Sequence, residues 1–592
     1  MTHSPARPLA PSPAQLACAL LFLLTPLSFA QTDDTVLRAL RDELNRSRNL
    51  KVLTLETPYY IEYAIEDGDS FVATAALGGL ISVRSDRFRI PEIGVRVGDY
   101  KFDNTNYLGS SYRFGTHYDI ERFPIENPYN VLRRFLWLST DTAYKSAVEA
   151  IARKRAALKN VAVSDPLNDF AKAAPIKRIE ELRHTALDED AWTNRLRALS
   201  AIFESYPAIR SSGLELSANQ GARYYLNSEG TEVRTPEKLI FVAVRAEAQA
   251  PDGMIVRDAA VYPSLSYTGL PSEPELHRRV AALAESVSAL ANTPKGDDYS
   301  GPVLFEGAAA AQIFADVLGR NMALTRRPVM EPGRNSFIPE SELAGRQGVR
   351  ILPESFDVVD DPTQKEWHGE PLLGTYEVDR EGVPAPPLPL IEKGVLKNFL
   401  LTRDPVAGYE GSNGRARMTG SFGANTPGIS NLFVRATETT SLADLKKRLV
   451  SMCQARHKPY GVIVRKMDFP SSAPIEEVRR LISDSQSGGG GHPVSLPVLA
   501  YRVYPDGREE LVRGWRFRGF NTRSLKDIVA AGDDSNVFDF LNNPAPFALM
   551  GAYGYVAETS VIAPSVLIDD LELHPLDLEI PKLPIVPPPP MR

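Results

Sequence analysis

Apolar and polar residues alternate with a period of two along much of the first hundred residues, and again between residues 210 and 250. A period of two puts alternate side chains on opposite faces of a strand, so these stretches predict an antiparallel sheet with one covered face. The triplet Asp67-Gly68-Asp69 and the pair Gly78-Gly79 interrupt the pattern as turn signals. Strands are predicted at residues 59–66, 70–76, 80–85, 94–100, 214–217, 222–226 and 238–246.

Other segments repeat their apolar residues every three to four positions, which is the period of an amphipathic helix. The first of them places Val36, Leu37, Leu40 and Leu44 on one face. Helices are predicted at residues 33–47, 128–158, 176–183, 190–204, 275–291, 308–322, 441–454 and 475–483. The combined pattern predicts an α+β fold, with an N-terminal antiparallel sheet and helices followed by a β-rich C-terminal domain.

The polar run Pro-Lys-Gly-Asp-Asp at residues 294–298 is the best candidate for a linker between domains. It predicts an N-terminal domain over residues 31–293 and a C-terminal domain over residues 296–580, which suits a chain of 592 residues. The Pro-rich tail at residues 581–592 predicts a disordered polyproline II segment. Further C-terminal strands are predicted at residues 301–305, 494–503, 510–520 and 564–573.

Residues 375–401 predict a meander of three strands joined by two polar turns. The first turn is Asp379-Arg380-Glu381-Gly382, whose glycine accepts positive φ, and the second is Glu392-Lys393-Gly394. A polar loop, Ser-Asn-Gly-Arg-Ala-Arg at residues 412–417, comes next, and Ser-Asn-Leu-Phe at residues 430–433 lies in a further strand. The acidic residues of the first turn, and the pair Asp360-Asp361, are expected to cap turns.

This succession of turns, loop and strand resembles the TldD/PmbA family, the modulator-of-gyrase metallopeptidases. No piece is specific alone, but their common order over about sixty residues makes a chance match improbable. The resemblance extends from residue 302 to 434, and more weakly to other parts of the chain. Relative to the family, residues 101–200 look like an enlargement of unassigned role.

Metallopeptidases of this family carry His-Glu-x-x-x-His on the helix after a Pro-Val-Val-Leu strand, together with a cysteine ligand near the C-terminus. Anchoring on Pro-Val-Leu-Phe at residues 302–305 places that motif on Ala315-Asp316-Val-Leu-Gly-Arg320. Ala315 has no donor atom, and the guanidinium of Arg320 repels a divalent cation. The C-terminal cysteine is also missing. The resemblance therefore implies a degenerate member of the PmbA (TldE-like) branch, with no metal in this chain and zinc only in a TldD-like partner.

Four residues are candidates for a peptide-binding cleft. Asn413, Arg415 and Arg417 lie in the polar loop, where they either hold a peptide or fix the meander through salt bridges. His492 follows four glycines that can deliver it to a cleft, although a solvated linker residue is the simpler interpretation. Asp316 is either a relic of the motif or an acid on an exposed helix surface, and the surface position is preferred.

The composition of the chain and its N-terminal segment restrict the classes of function to consider. A net charge of −7 argues against a nucleic-acid-binding surface. The apolar run at residues 16–29, ending in Ser28-Phe29-Ala30, predicts a cleavable signal peptide over residues 1–30 and a periplasmic or secreted protein without a membrane span. Cleavage leaves Cys453 as the one cysteine, which excludes a disulfide within the chain. A buried apolar position suits this thiol better than a nucleophilic role.

Three functions remain open. The first is a degenerate subunit that supports proteolysis of extended peptides, either with a TldD-like metallopeptidase subunit or as a homodimer joined through edge strands. The second is an active metallopeptidase with a rebuilt site that uses His492, Asp316 and another acidic residue. The third is a peptide-binding or scaffold protein without a protease partner.

Overall fold

The computed structural model describes residues 34–576, except residue 53 and residues 109–115, 119–122, 160–166, 331–339, 420–424, 475–476, 478–493 and 543–556. The predicted signal peptide, the Pro-rich tail and His492 lie outside the described residues, as does most of the helix predicted at 475–483. Among the residues that are described, no helix has the length and apolar character of a membrane span.

The first half of the chain builds one seven-stranded sheet. Two long antiparallel hairpins lie side by side in the order β4-β2-β1-β6-β7-β5, and β8 also pairs with β7. In chain order the elements are α1 (Thr35–Ser47), β1 (Pro58–Ala76), β2 (Gly79–Val97), β3 (Tyr107–Leu108), β4 (Thr116–Tyr118), α2 (Tyr129–Leu158), β5 (Lys177–Ile179), α3 (Glu189–Ala201), β6 (Ile209–Asn227), β7 (Glu232–Gln249), β8 (Ile255–Ser264) and α4 (Glu273–Asn292).

The two faces of this sheet have different neighbours. Helices α1 and α2 cover one end of one face around Tyr63, and α3 and α4 cover the other end of the same face around Val242. The opposite face presents Tyr225 and Phe241, which pack near Val378 and Leu541 of the second half. Both faces of the sheet are thus covered, one by helices and one by the C-terminal half.

The second half contains two larger sheets and several two-stranded ribbons. Its elements are β9 (Tyr299–Phe305), α5 (Ala308–Ile313), β10 (Val329–Met330), β11 (Phe356–Asp360), β12 (Glu366–Trp367), β13 (Glu370–Pro371), β14 (Leu388–Glu392), β15 (Val395–Leu396), β16 (Ala416–Thr419), β17 (Asn425–Pro427), β18 (Asn431–Ala436), α6 (Leu442–Ala455), β19 (Gly461–Met467), β20 (Pro497–Val503), β21 (Glu509–Val512), β22 (Trp515–Arg518), β23 (Ile528–Ala531), β24 (Asn536–Asn542), β25 (Ala557–Ala563) and β26 (Val566–Pro575).

Helix α5 lies between the two larger sheets of this half. One sheet has the order β15-β14-β11-β18-β25-β24, and the other has the order β21-β20-β19-β9-β26-β22 with β23 also paired to β26. Ala309, Ala310 and Ala311 are completely buried in the core that both sheets share. Small side chains allow a helix to be enclosed on all sides, so the Ala-rich sequence suits this position.

The predicted α+β class is confirmed, but some elements differ from the prediction. Residues 176–183 are not helical, because residues 177–179 pair in parallel with β7 as the edge strand β5. The meander is shorter than predicted: β14 and β15 form a hairpin, whereas residues 375–378 contribute one isolated bridge, between Val378 and Pro384. Strands β11, β19, β23, β24 and β25 were absent from the prediction.

A buried arginine joins the two halves. Arg403 is inaccessible to solvent, and its guanidinium donates to the Ala171 carbonyl, to Glu229 Oε1 at 2.7 Å and to the Tyr60 hydroxyl at 3.2 Å. Its backbone N–H donates to Glu381 Oε2 at 2.7 Å. A buried charge is tolerated only when it is paired and hydrogen-bonded, so these contacts fix the relative position of the two halves.

The close approach of β1 and β6 generates a stability prediction. Gly68 and Gly221 face each other in this pair, and a Cβ on Gly221 would lie 2.1 Å from the Asp67 carbonyl oxygen. We expect Gly221→Ala to lower the free energy of unfolding by about 3 kcal/mol or more, because the strands must separate. Gly213→Ala is the matched control on the same strand, since its nearest contact is Arg245 Cγ at 3.8 Å.

Denaturant titration of both variants measures the difference. The control is expected to stay within about 1 kcal/mol of the wild type. Equal stability of the two alanine variants would show that β1 and β6 do not approach as described.

Candidate functional site

The helical segment that corresponds to the metallopeptidase motif has an irregular geometry. It begins as α5, widens into a π-helical turn at Phe314–Leu318 and ends as a 3₁₀ turn at Gly319–Met322. A π turn inserts an extra residue into a helix and is frequent at functional sites. Here it contains Ala315 and Asp316, two of the three positions on which the motif falls.

Asp316 is buried, so the preferred surface position was wrong. Its Oδ2 accepts the backbone N–H of Ser495 at 2.8 Å, and its Oδ1 lies 3.4 Å from Nη2 of Arg320. The burial was hidden in the sequence because the segment that covers Asp316 is distant along the chain. Asp316 and Arg320 are thus engaged with each other, and Ala315 offers only a methyl group.

These residues do not fit a zinc ion. A structural or catalytic zinc site needs three or four nitrogen, sulfur or carboxylate donors, and the segment supplies one carboxylate beside a cation. Among the described residues, no group of three or more His, Cys, Asp or Glu side chains is arranged to hold a metal ion. Cys453 is buried, and burial raises the pKa of its thiol, in keeping with a structural position.

A cleft of about 1110 Å³ lies between the N-terminal sheet and the C-terminal half. Its floor is the face of β6 and β7 that turns away from the helices, and its walls include the consecutive residues 258–266 around β8 and 533–541 around β24. Ala308 and Gln312 bring the first turns of α5 to its border. Helix α5 therefore borders a space large enough for a peptide segment.

Gln312 connects α5 to the end of β19. Its side-chain amide donates to the carbonyls of Met467 and Phe469, at 3.1 and 2.7 Å, and its Oε1 accepts the Met467 N–H at 2.8 Å. The sequence analysis missed this residue, since a single glutamine in an Ala-rich helix carries no distinguishing pattern. It holds the border of the cleft in place.

Two carboxyl groups in the cleft have raised pKa values. Burial is the main cause at Asp258, which lies 2.6 Å from Lys466 Nζ. Burial also raises the pKa of Asp539 to about 6, with a further contribution from Glu370, while the Ser560 hydroxyl donates to Asp539 Oδ1. Asp539 therefore titrates close to neutrality at the cleft wall.

The polar loop has a structural arrangement. Arg415 is fully buried; its Nε lies 2.6 Å from Asp360 Oδ1, and its Nη2 donates to the Pro386 carbonyl at 2.6 Å. The side chain of Asn413 spans the loop, accepting from Leu401 N–H at 3.0 Å and donating to the Phe399 carbonyl at 2.7 Å. These contacts support the interpretation that the loop is fixed by salt bridges.

Arg417 lies at the other end of the loop. Its guanidinium is 4.2 Å from the centre of the Tyr376 ring, and it donates to the Glu558 carbonyl at 2.6 Å. Asn413, Arg415 and Arg417 do not line the 1110 Å³ cleft. The structure thus separates the loop from the cleft, and His492 is not among the described residues.

The acidic turn forms as expected. Asp379 Oδ1 accepts the N–H groups of Glu381 and Val383, at 2.9 and 2.8 Å, and Gly382 has φ of +75°. Burial raises the pKa of Asp379, and burial together with the Asp379 carboxylate raises that of Glu381. In the pair Asp360-Asp361, Asp361 caps a turn by accepting the Thr363 N–H. The buried Asp360 accepts hydrogen bonds from the Ser430 N–H and hydroxyl as well as from Arg415.

Solved structures share this architecture. A protein described as a modulator of DNA gyrase from Thermotoga maritima is 17% identical, with a TM-score of 0.53, covering 87% of this chain and 96% of its own. TldE from Thermococcus kodakarensis is 14% identical, with a TM-score of 0.55, covering 90% of this chain and 99% of its own. Identities at this level establish the fold alone.

The sequence carries the family signal as well. The profile of the PmbA/TldA metallopeptidase C-terminal domain matches residues 299–467, from β9 through the buried helix and acidic turn to β19. Residues 299–467 therefore carry a domain of the TldD/PmbA family. A metalloprotease from Archaeoglobus fulgidus is 37% identical over 78 residues, which is 13% of this chain and 17% of the relative.

The Arg415 contacts predict a stability role. Arg415→Met leaves the buried Asp360 carboxylate without its cation, so we expect the free energy of unfolding to fall by about 3–5 kcal/mol. Arg435→Met is the control, because Arg435 is an exposed residue of β18, and the expected change is below about 1 kcal/mol. Denaturant titration measures the free energy of unfolding of both variants. An Arg415 variant as stable as the wild type would contradict the structural role.

Asp539 predicts a pH-dependent gain in stability. Its pKa is raised from 3.8 to about 6 in the folded protein, so the folded state binds this proton more tightly and loses stability as pH rises through that interval. Asp539→Asn is expected to raise the free energy of unfolding at pH 8 by up to about 3 kcal/mol, and by progressively less toward pH 4. Thermal unfolding across pH 4–8 measures the effect.

Asp533→Asn provides the comparison, because Asp533 is exposed at the same wall of the cleft. We expect its unfolding profile to run parallel to that of the wild type. A pH-independent change in the Asp539 variant would argue against the raised pKa.

Proposed function

We propose that this protein is an exported, non-catalytic subunit of the TldD/PmbA type, which binds extended peptides and supports their proteolysis by a metal-bearing TldD-like partner. The proposal has three parts: the loss of metal chemistry, the capacity for peptide binding and the need for a second subunit. Each part is supported by a different feature of the chain.

The arrangement of Asp316 and Arg320 carries the first part. The single carboxylate of the motif helix already accepts a backbone N–H and lies beside the Arg320 guanidinium. A divalent cation placed there meets a fixed positive charge and lacks imidazole or thiolate donors from this segment. The methyl group of Ala315, which is buried, adds no ligand. This supports a degenerate site over one rebuilt around Asp316.

The cleft supports the second part. In the described part of the chain, β8 pairs with β7 alone and β24 pairs with β25 alone, so each is the edge of its sheet. Both strands contribute consecutive residues to the cleft wall. An extended peptide can add to a sheet edge through main-chain hydrogen bonds, a mode that tolerates many sequences.

The need for a partner follows from the first two parts. A subunit that binds peptides without holding a metal supports proteolysis only if another subunit supplies the catalytic ion. The fold shared with TldE is compatible with such a division of labour. A TldD-like subunit meets this need, whereas a second copy of this chain joined through edge strands would lack the same metal donors.

The decisive experiment measures metal and activity on the same sample. The protein, purified after export and checked by mass spectrometry for cleavage before Gln31, is analysed for bound metal and then incubated with unfolded peptides, with and without a chelator. We expect less than about 0.1 zinc per chain, because the motif helix lacks donors, and no proteolysis by the chain alone. Adding a TldD-like partner is expected to produce chelator-sensitive cleavage.

The outcomes separate the three candidate functions. Stoichiometric zinc with activity of the isolated chain would favour the rebuilt metallopeptidase. Peptide binding without cleavage in any combination would favour the scaffold protein. A partner that cleaves at the same rate with and without this chain would contradict the proposed support of proteolysis.

A further inference from the structure

The charges around the cleft are unbalanced. Among the residues that the structure describes, its lining contains seven carboxylates and three arginine or lysine side chains. The carboxylates belong to Glu215, Asp258, Glu370, Asp468, Asp533, Asp534 and Asp539, and the cations to Arg245, Arg279 and Lys466. A space lined mostly by one sign of charge attracts ligands of the opposite sign.

Two of the three cations in the lining, Lys466 and Arg279, are already paired with carboxylates. Lys466 Nζ lies 2.6 Å from Asp258 and donates to the Ala259 carbonyl at 2.9 Å. Arg279 donates to Glu275 Oε1 at 2.5 Å and stacks over the Tyr262 ring at 5.0 Å. Arg245 is on the same sheet face as Glu215, diagonally across the β6–β7 pair. The cleft therefore offers little net positive charge to an acidic ligand.

Within the described part of the chain, several carboxylates of the lining form no ion pair with a lysine or arginine. Glu370 and Asp533 are exposed there, whereas Asp468 and Asp534 are held by the serines of neighbouring loops. Asp539 is bonded to the Ser560 hydroxyl, and its proton affinity is raised partly by the negative charge of Glu370. A cation that enters this space lowers the repulsion between the two carboxylates.

Apolar surface separates these acidic positions. Leu239, Phe241 and Leu541 form a hydrophobic cluster at the floor, and Trp367 and Phe538 also contribute to the lining. Lysine and arginine combine an aliphatic stem with a charged end, so they can cover apolar surface while the charge reaches a carboxylate. A purely apolar side chain matches only the hydrophobic cluster, and an acidic side chain is repelled by the carboxylates.

We infer that the cleft selects extended peptides that carry lysine or arginine, with the basic side chains directed to Glu370, Asp533 and Asp539. This inference rests on the proposed peptide-binding function, and adds to it a preference for one class of sequence. The main-chain contacts to the strand edges supply affinity for any extended peptide, and the carboxylates supply the discrimination.

The test uses three labelled twelve-residue peptides that differ only at three alternate positions, occupied by lysine, glutamine or glutamate. Fluorescence anisotropy with the full chain is expected to give a Kd for the lysine peptide at least about tenfold below that of the glutamine peptide, with the glutamate peptide weakest. The difference is expected to shrink at 500 mM salt, because exposed ion pairs are screened.

Paired variants separate local recognition from the overall negative charge of the protein. Glu370→Gln/Asp533→Asn is expected to weaken binding of the lysine peptide about two- to tenfold and leave the glutamine peptide unchanged. Glu410→Gln/Glu438→Gln removes the same charge from exposed positions outside the cleft and is expected to have no effect.

Each result has a defined meaning. Equal Kd values for the three peptides, or equal losses in the two double variants, overturn the selectivity and leave peptide binding intact. Absence of binding for all three peptides overturns the proposed peptide-binding function together with the inference.

Discussion

The buried guanidinium of Arg403 joins the two halves of this protein, together with ion pairs such as Arg380–Glu66 and Lys466–Asp258. It donates to the Ala171 carbonyl, to Glu229 in the turn between β6 and β7 and to Tyr60 on β1, while the backbone N–H of Arg403 donates to Glu381. A charge removed from water is costly unless every donor finds a partner, so few relative positions of the halves satisfy it. The cleft exists because this junction holds the N-terminal sheet against the C-terminal half.

The residues that revealed the family serve this junction and its supports. Asp379 and Gly382 shape the turn that presents Glu381 to Arg403, and the Arg415–Asp360 pair secures the loop beside it. The recognisable motifs are therefore architectural, which explains how they carry the family resemblance without being metal ligands. The residues that determine the fold differ from the residues that would carry chemistry. The family motifs therefore indicate the chemistry only by association.

Sequence patterns predicted the elements whose conformation depends on residues close along the chain. The helix at Thr35–Ser47 and the turn at Asp379–Gly382 follow from local periodicity and glycine, and the structure contains both. Residues 177–179 were misjudged because their pairing with β7 is a tertiary contact that overrides local preference. The cleft itself was invisible, since its walls at β8 and β24 are separated by more than 250 residues.

The distinction between local chemistry and tertiary contacts also applies to the candidate site. That Ala315 and Arg320 cannot bind zinc follows from their chemistry, whatever the fold. That Asp316 is buried, and is engaged by the Ser495 N–H and Arg320, required the structure. An internal cation at the next helical turn offsets the buried carboxylate in place of a metal ion, so the helix stays packed between its sheets without one. Metal binding at this helix would therefore require new ligands and also the removal of the Asp316–Arg320 ion pair, because the positive charge of Arg320 opposes a divalent cation.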